Sequence, residues 1–110
     1  MSTIDKNADL MTLVNVFTVK PENQEKLVTL LTDATEQVMR SLPGFVSANI
    51  HKSVDGKKVV NYAQWKTEDD FQAMKKNPEA QSHMKAVADL AEFDPIVCEV
   101  VESISADTFV

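Results

Sequence analysis

Residues 51–65 read His51-Lys52-Ser53-Val54-Asp55-Gly56-Lys57-Lys58-Val59-Val60-Asn61-Tyr62-Ala63-Gln64-Trp65. Asp55-Gly56 lies between two runs of strand-forming residues, a pattern that is typical of a β-hairpin. Successive side chains of a strand point to opposite faces, so four residues of the second run share one face: Val59, Asn61, Ala63 and Trp65. A buried amide or indole needs hydrogen-bond partners. Asn61 and Trp65 therefore form either a satisfied pair in the core or the floor of a pocket with polar groups.

The sequence around this hairpin predicts the order β-α-β-β-α-β. Apolar alternation from Met11 to Val19 predicts the first strand, and leucines at helical spacing predict an amphipathic helix over residues 21–41. The hairpin strands are expected at 45–53 and 57–66, and Thr67 is expected to cap the next helix. Asn77-Pro78 divides that helical region, and Pro95 is expected to precede a last strand at 96–104. This order is the ferredoxin-like α+β fold, an antiparallel four-stranded sheet with helices on one face.

The predicted sheet carries a second apolar face, away from the helices. Its residues are Val14, Val16, Val60, Tyr62 and Gln64. An apolar face of this size is rarely left in water, because its burial is favourable. We therefore predict a homodimer that forms through this sheet face.

Length and composition limit the remaining possibilities. The chain has 110 residues and a net charge of −6, which argues against a nucleic-acid partner. We expect a flexible N-terminal segment at 1–9, one domain at 10–104 and a tail at 105–110. The sequence shows no signal peptide and no apolar run of about 20 residues, which favours a cytoplasmic protein without a membrane partner. No Cys, His or carboxylate cluster has the spacing of a metal site, and two glycines cannot form a nucleotide loop.

Four segments together resemble a known family: Asn15-Val16-Phe17-Thr18-Val19-Lys20-Pro21, Leu42-Pro43-Gly44-Phe45, Ser53-Val54-Asp55-Gly56 and Asn61-Tyr62-Ala63-Gln64-Trp65. Over roughly residues 11–103 the chain resembles the antibiotic biosynthesis monooxygenase family. The last two segments are similar to the branch of small cofactor-independent monooxygenases that oxidise phenolic, quinol or anthrone-like aromatics. The resemblance implies a dimeric α+β barrel, no cofactor, and a small aromatic substrate that reacts with O₂ in a pocket between the sheet and the helices.

The resemblance also implies roles for individual residues. Asn61 and Trp65 match the pocket Asn and Trp of that branch, and His51 matches a His ten residues earlier, so these three are the catalytic candidates. The substrate-binding candidates are Asn15, Phe17, Phe71, Met74, Met84 and Lys85. Phe71 stands where the branch has a Tyr, and Lys85 stands where it has an Arg. A phenolic hydroxyl and a bidentate guanidinium are therefore both missing here.

The position of His51 depends on the hairpin turn. With a two-residue loop, His51 pairs with Val60 and lies on the face away from Asn61. A bulge residue in the turn would place it on the pocket face, where it could transfer a proton. His83, the other histidine, lies beside the apolar stripe of its helix and is expected to be half-exposed.

Two alternatives to the quinone-forming monooxygenase remain. A haem-degrading branch of the superfamily has an Asn at the position of Asn15, but its Trp and axial His fall at Met74 and Met84. His83 is one residue away, which is about 100° around a helix, so haem degradation is disfavoured. The other alternative is a dimeric barrel that binds a small ligand without turnover. Oxygen consumption with a dihydroxy-aromatic compound distinguishes an enzyme from such a binding protein.

Overall fold

The computed structural model describes residues 2–106. Its helices and strands follow the chain as β1 (Met11–Val19), α1 (Gln24–Gln37), β2 (Phe45–Lys52), β3 (Lys58–Trp65), α2 (Glu68–Lys75), α3 (Pro78–Leu90) and β4 (Ala91–Cys98). Short 3-10 turns at Pro21–Asn23 and Met39–Ser41 flank α1, so the helix predicted over 21–41 consists of three pieces. Within residues 2–106 no helix is long and apolar enough to cross a membrane.

The strands form one antiparallel sheet in the order β2-β3-β1-β4. This arrangement confirms the predicted ferredoxin-like fold. The odd-numbered side chains of the two central strands face the helices, and most of them are buried. Together with side chains from the helices they form two apolar clusters, one around Trp65 and Phe71 and one around Leu27 and Val59. A cavity lies along the same face of the sheet.

Side chains at two helix starts explain why α2 and α3 begin where they do. The Thr67 hydroxyl accepts a hydrogen bond from the backbone N–H of Asp70 at 3.0 Å. The side-chain Oδ1 of Asn77 accepts from the backbone N–H groups of Glu79 and Ala80 at 2.9 and 3.1 Å. Each cap satisfies donors that lack a partner in the first helical turn. Both predicted helix starts are confirmed.

Gly44 lets β2 begin directly beside the first turn of α2. Its φ is +81°, a left-handed conformation that side chains with a Cβ rarely adopt. A Cβ there would also lie 2.1 Å from Oδ2 of Asp70. The carbonyl oxygen of Gly44 accepts a hydrogen bond from the N–H of Lys66 at 2.7 Å. This contact fixes the end of β3 and therefore the entry of α2.

The last strand differs from the prediction. β4 spans Ala91–Cys98 instead of 96–104, and Pro95 lies within it, opposite Asn15 of β1. Proline is tolerated here because β4 is an edge strand with a neighbour on one side only. The proline nitrogen has no hydrogen to donate, and at an edge it need not bond to a second strand. Residues 99–106 have no regular secondary structure.

The hairpin between β2 and β3 has a longer loop than the predicted two-residue turn. The Ser53 N–H donates to the Lys58 carbonyl oxygen at 2.9 Å, and the Gly56 N–H donates to the Ser53 carbonyl oxygen at 3.2 Å. The register is nevertheless that of a two-residue turn, with His51 opposite Val60. The only register shift between these strands lies at the other end, between Phe45 and Ser47.

The N-terminal segment contacts the outer face of the sheet. The Gln64 side-chain amide donates to the Thr3 carbonyl oxygen at 2.7 Å, and the Asn49 amide donates to the Ser2 hydroxyl at 2.9 Å. Gln64 is buried, so this bond satisfies a polar group that the strand alone leaves without a partner. Flexibility of segment 1–9 and of tail 105–110 stays a prediction, and Met1 and residues 107–110 lie outside the described residues.

Candidate active site

A cavity of about 140 Å³ lies between the inner face of the sheet and the three helices. The sheet contributes Leu13, Asn15, Phe17, Phe45, Ala48, Asn61, Ala63, Trp65, Phe93 and Pro95. The helical side contributes Leu31, Ala34, Thr35, Met39, Phe71, Met74, Lys75, His83, Met84 and Val87. Most of these side chains are apolar or aromatic, which suits a hydrophobic ring held by a few polar contacts.

Asn15 and Asn61 are the polar groups of the cavity floor. They lie directly opposite each other on β1 and β3, where opposed Cβ atoms are about 4.5–5.5 Å apart. The Oδ1 atom of each is buried and has no hydrogen-bond partner within the described residues. The alternative of a satisfied core pair is therefore wrong for Asn61. Since either amide can turn its oxygen or its NH₂ group inward, the pair can offer donors or acceptors to a bound molecule.

Trp65 forms an aromatic wall beside these amides. It is 2% exposed, and its ring stands edge-on to Phe45 with centroids 5.4 Å apart. The Phe71 ring is tilted by 60° to the indole, with centroids 6.1 Å apart. Two aromatic neighbours hold the indole in one orientation, as expected for edge-to-face and tilted ring pairs.

The helical side of the cavity is made of more adaptable groups. Three methionines, Met39, Met74 and Met84, line it. Methionine is unbranched and has several rotatable bonds, so it adjusts to irregular shapes more easily than Leu or Phe. The two amides thus lie on the rigid sheet, and the three adaptable methionines lie on the helical side.

Most of the predicted site residues meet at this cavity. Asn15, Phe17, Asn61, Trp65, Phe71, Met74 and Met84 all line it. Lys85 is exposed and is not part of the wall, because one residue along α3 from Met84 turns the side chain by about 100°. The predicted place of Lys85 in the pocket is therefore wrong.

The predicted position of His51 in the pocket is also wrong. His51 pairs with Val60, whose side chain lies on the outer face, and it is exposed. Its Nδ1 atom is 3.1 Å from the carbonyl oxygen of Asn49. The hairpin turn contains no bulge that would bring this imidazole round to Asn61.

Two titratable side chains of the cavity were not predicted. Half-buried His83 shares a helix face with the buried Ala80 and Val87, three and four residues away, and this spacing could have identified it. Lys75 follows Phe71 by four residues, and its Nζ atom lies 5.3 Å from the Phe71 ring centroid. Among residues 2–106 there is no cluster of three side chains that could hold a metal ion.

Residues 10–86 match the family model described as antibiotic biosynthesis monooxygenase. The chain belongs to this family. The monooxygenase is 49% identical over 106 residues to tetracenomycin-F1 monooxygenase of Streptomyces glaucescens, a match that covers 96% of this chain and 95% of that protein. The predicted family and the predicted monooxygenase activity are confirmed.

Two solved structures resemble the monooxygenase over most of its length. The ActVA-Orf6 monooxygenase of Streptomyces coelicolor, in complex with nanaomycin D, is 30% identical with a TM-score of 0.79, covering 94% of this chain and 96% of that chain. SnoaB, a cofactor-independent oxygenase of Streptomyces nogalater, is 25% identical with a TM-score of 0.74, covering 90% and 100%. These structures support the fold and the monooxygenase assignment.

Proposed function

We propose that this monooxygenase oxidises a phenolic, quinol or anthrone-like aromatic to a quinone with O₂ and without metal or flavin. The observation that carries the proposal is the unpartnered amide pair Asn15–Asn61 in an otherwise apolar cavity. A buried amide oxygen without a partner costs about 1–3 kcal/mol, which a ligand hydroxyl that donates to it would offset. The names of the relatives support this substrate class: one acts on tetracenomycin F1, one is bound to nanaomycin D, and SnoaB is called cofactor-independent.

The proposed chemistry requires little from the protein. A deprotonated phenol or anthrone is electron-rich enough to reduce O₂, and the resulting hydroperoxide loses water to give the quinone carbonyl. The enzyme must exclude water, orient the ring and stabilise the anion as it develops. Preorganised amide donors in a dry cavity do this effectively, because they need no reorganisation during the reaction. We propose that Asn61 and Asn15 are these donors and that Trp65 supplies the aromatic wall.

The cavity volume limits how the substrate is held. A cavity of about 150 Å³ is known to hold benzene, so the 140 Å³ here suits one aromatic ring. Fused rings would extend toward the lining residues that reach solvent, Lys75 and Phe93, and would displace the methionine side chains. Phe71 offers a ring face and no hydroxyl, so its contact with the substrate is apolar.

We further propose that the enzyme is a homodimer formed through the outer sheet face. Val14, Val16, Val60 and Tyr62 are half-buried in the protomer. Ile96 of β4, which pairs with Val14, extends the same apolar face and is 43% exposed. A second copy would cover this surface. The cytoplasmic location stays a prediction.

The test is an oxygen-electrode assay on protein that has been treated with chelator and shown to be free of flavin. With 1,8-dihydroxyanthrone as the probe, we expect oxygen uptake above the rate of spontaneous oxidation, matched by equimolar quinone. The control is the double variant Asn15→Ala with Asn61→Ala at the same concentration. Uptake that requires added metal or flavin, or no uptake above the spontaneous rate with any anthrone or naphthol, contradicts the proposal.

A further inference from the structure

We propose that His83 is the catalytic base of the cavity: its imidazole takes the substrate proton and later returns it to the peroxide. This assignment rests on the proposed function above. The sequence contains two histidines, and the structure separates them clearly. His51 is exposed on the outer face of the sheet, whereas His83 lines the cavity from α3.

The other described groups around the cavity are poorly suited to accept a proton. In the part of the chain that the structure describes, Lys75 is the only other titratable side chain of the cavity wall, and a lysine ammonium group offers donors and no acceptor. Among residues 2–106 no Asp or Glu lines the cavity, and β1, β2, β3 and β4 contribute only uncharged side chains. From α1 come Leu31, Ala34 and Thr35, and the Thr35 hydroxyl already donates to the Leu31 carbonyl oxygen at 2.8 Å. Histidine alone changes its charge between about pH 5 and 8 without special tuning.

The location of His83 suits the role. The two amides lie on the sheet floor, and His83 lies on the helical side of the same cavity. A ring between these two layers meets anion-stabilising amides on one side and a proton acceptor on the other. The amides and the imidazole can therefore act on one substrate at once.

The proton and electron balance is complete with O₂ as the only oxidant. The imidazole takes the proton of the substrate O–H or C–H bond, and the electron pair of that bond stays on the substrate. The anion gives one electron to O₂, and the two radicals join to form a C–O bond and a peroxide anion. The imidazolium protonates the peroxide. Loss of the remaining C–H proton and of hydroxide, which combine as water, leaves the quinone carbonyl.

The test compares His83→Gln with His51→Gln, which removes the other imidazole of the chain. On an anthrone that is neutral at the assay pH, we expect His83→Gln to lower kcat by about 100-fold or more, the usual contribution of a general base. The acidic limb of the kcat–pH profile should disappear in this variant. The loss should shrink on an anthrone carrying electron-withdrawing groups, which is already ionised. Free imidazole should partly restore His83→Ala.

A merely structural role would give a different pattern. Binding of an unreactive anthraquinone, measured by fluorescence quenching, should be unchanged in His83→Gln. Equal losses on neutral and ionised substrates would overturn the assignment, as would full activity of His83→Gln or a larger loss in His51→Gln. A parent protein that oxidises none of these compounds would overturn the proposed function and this assignment together. An active parent with a fully active His83→Gln would overturn the assignment alone.

Discussion

Replacing Asn61 by leucine is expected to stabilise the protein and to lower its activity. The Asn61 oxygen is buried without a partner, so the native protein carries the cost of an unsatisfied polar group. Leucine has no polar atom, and its larger side chain has the adjoining 140 Å³ cavity to extend into. The same change removes a hydrogen-bond donor from the proposed anion site. Stability and catalysis should therefore move in opposite directions.

The two effects have separate magnitudes. Relief of the unsatisfied amide is worth about 1–3 kcal/mol in the free energy of unfolding. For a domain of this size each kcal/mol raises Tm by roughly 4–8 °C. Removing one donor to a developing anion costs about 2–4 kcal/mol in transition-state stabilisation, which lowers kcat by roughly 30- to 1000-fold.

The assay combines thermal unfolding by circular dichroism with oxygen uptake on an anthrone. Asn61→Ala is measured beside Asn61→Leu, because alanine removes the amide without filling the cavity. Val59→Ala is the matched control, since Val59 is fully buried on the same face of β3 but does not line the cavity. We expect it to lose about 2 kcal/mol of stability and to keep its kcat below the unfolding transition.

One result would refute this reasoning. If Asn61→Leu and Asn61→Ala lose as much stability as Val59→Ala, the amide supports the fold. If their activity then falls only in proportion to the unfolded fraction, Asn61 has no separate role in catalysis.

Three further predictions concern the scaffold. A residue with a Cβ in the left-handed conformation costs roughly 1–2 kcal/mol. Gly44→Ala should lower the free energy of unfolding by more than this, because its Cβ would also meet Asp70. Gly56→Ala, with φ +82° and only a 3.5 Å contact with Pro21, is the control in urea unfolding, and equal losses would mean that Asp70 moves aside freely. Val16→Asp should convert the proposed dimer to monomer in sedimentation velocity, because an unpaired charge in an interface costs several kcal/mol. Thr18→Asp, at the exposed end of β1, is the control. A parent protein that sediments as a monomer would contradict the dimer. The Ser53 hydroxyl and the Lys57 backbone N–H lower the pKa of Asp55, so its contribution to stability is present above about pH 4 and is lost as the pH falls through the folded value. Asp55→Asn should flatten the decrease of Tm below pH 4, and an unchanged decrease would contradict this origin.

Strand periodicity made most of the cavity floor predictable. The alternation of β1 and β3 places Asn15, Phe17, Asn61 and Trp65 on one face in any fold that pairs these strands. β4 was misplaced because the apolar run after Pro95 resembles a strand locally. Pro95 is acceptable within β4 only because that strand lies at the sheet edge, and edge position is a property of the whole topology.

The histidines show a different limit of sequence reasoning. The face of His51 depends on how many residues the hairpin turn inserts, which Asp55-Gly56 alone does not determine. The helical spacing of His83 to Ala80 and Val87 indicates its place in the cavity, whereas the family resemblance implied Lys85. Helix phase, which follows from backbone geometry, was the better guide at these positions.

The division of the cavity between sheet and helices has a consequence for how such an enzyme diversifies. Strand pairing fixes the distance between Asn15 and Asn61, so substitutions elsewhere hardly move them. Met39, Met74 and Met84 lie outside the sheet and are free to change in size and shape. Related enzymes could therefore come to accept substrates with other ring systems through changes in the helices, while the two amides proposed to bind the substrate oxygen stay unchanged. Laboratory selection for a different aromatic should yield mutations at the three methionines before any at the two asparagines.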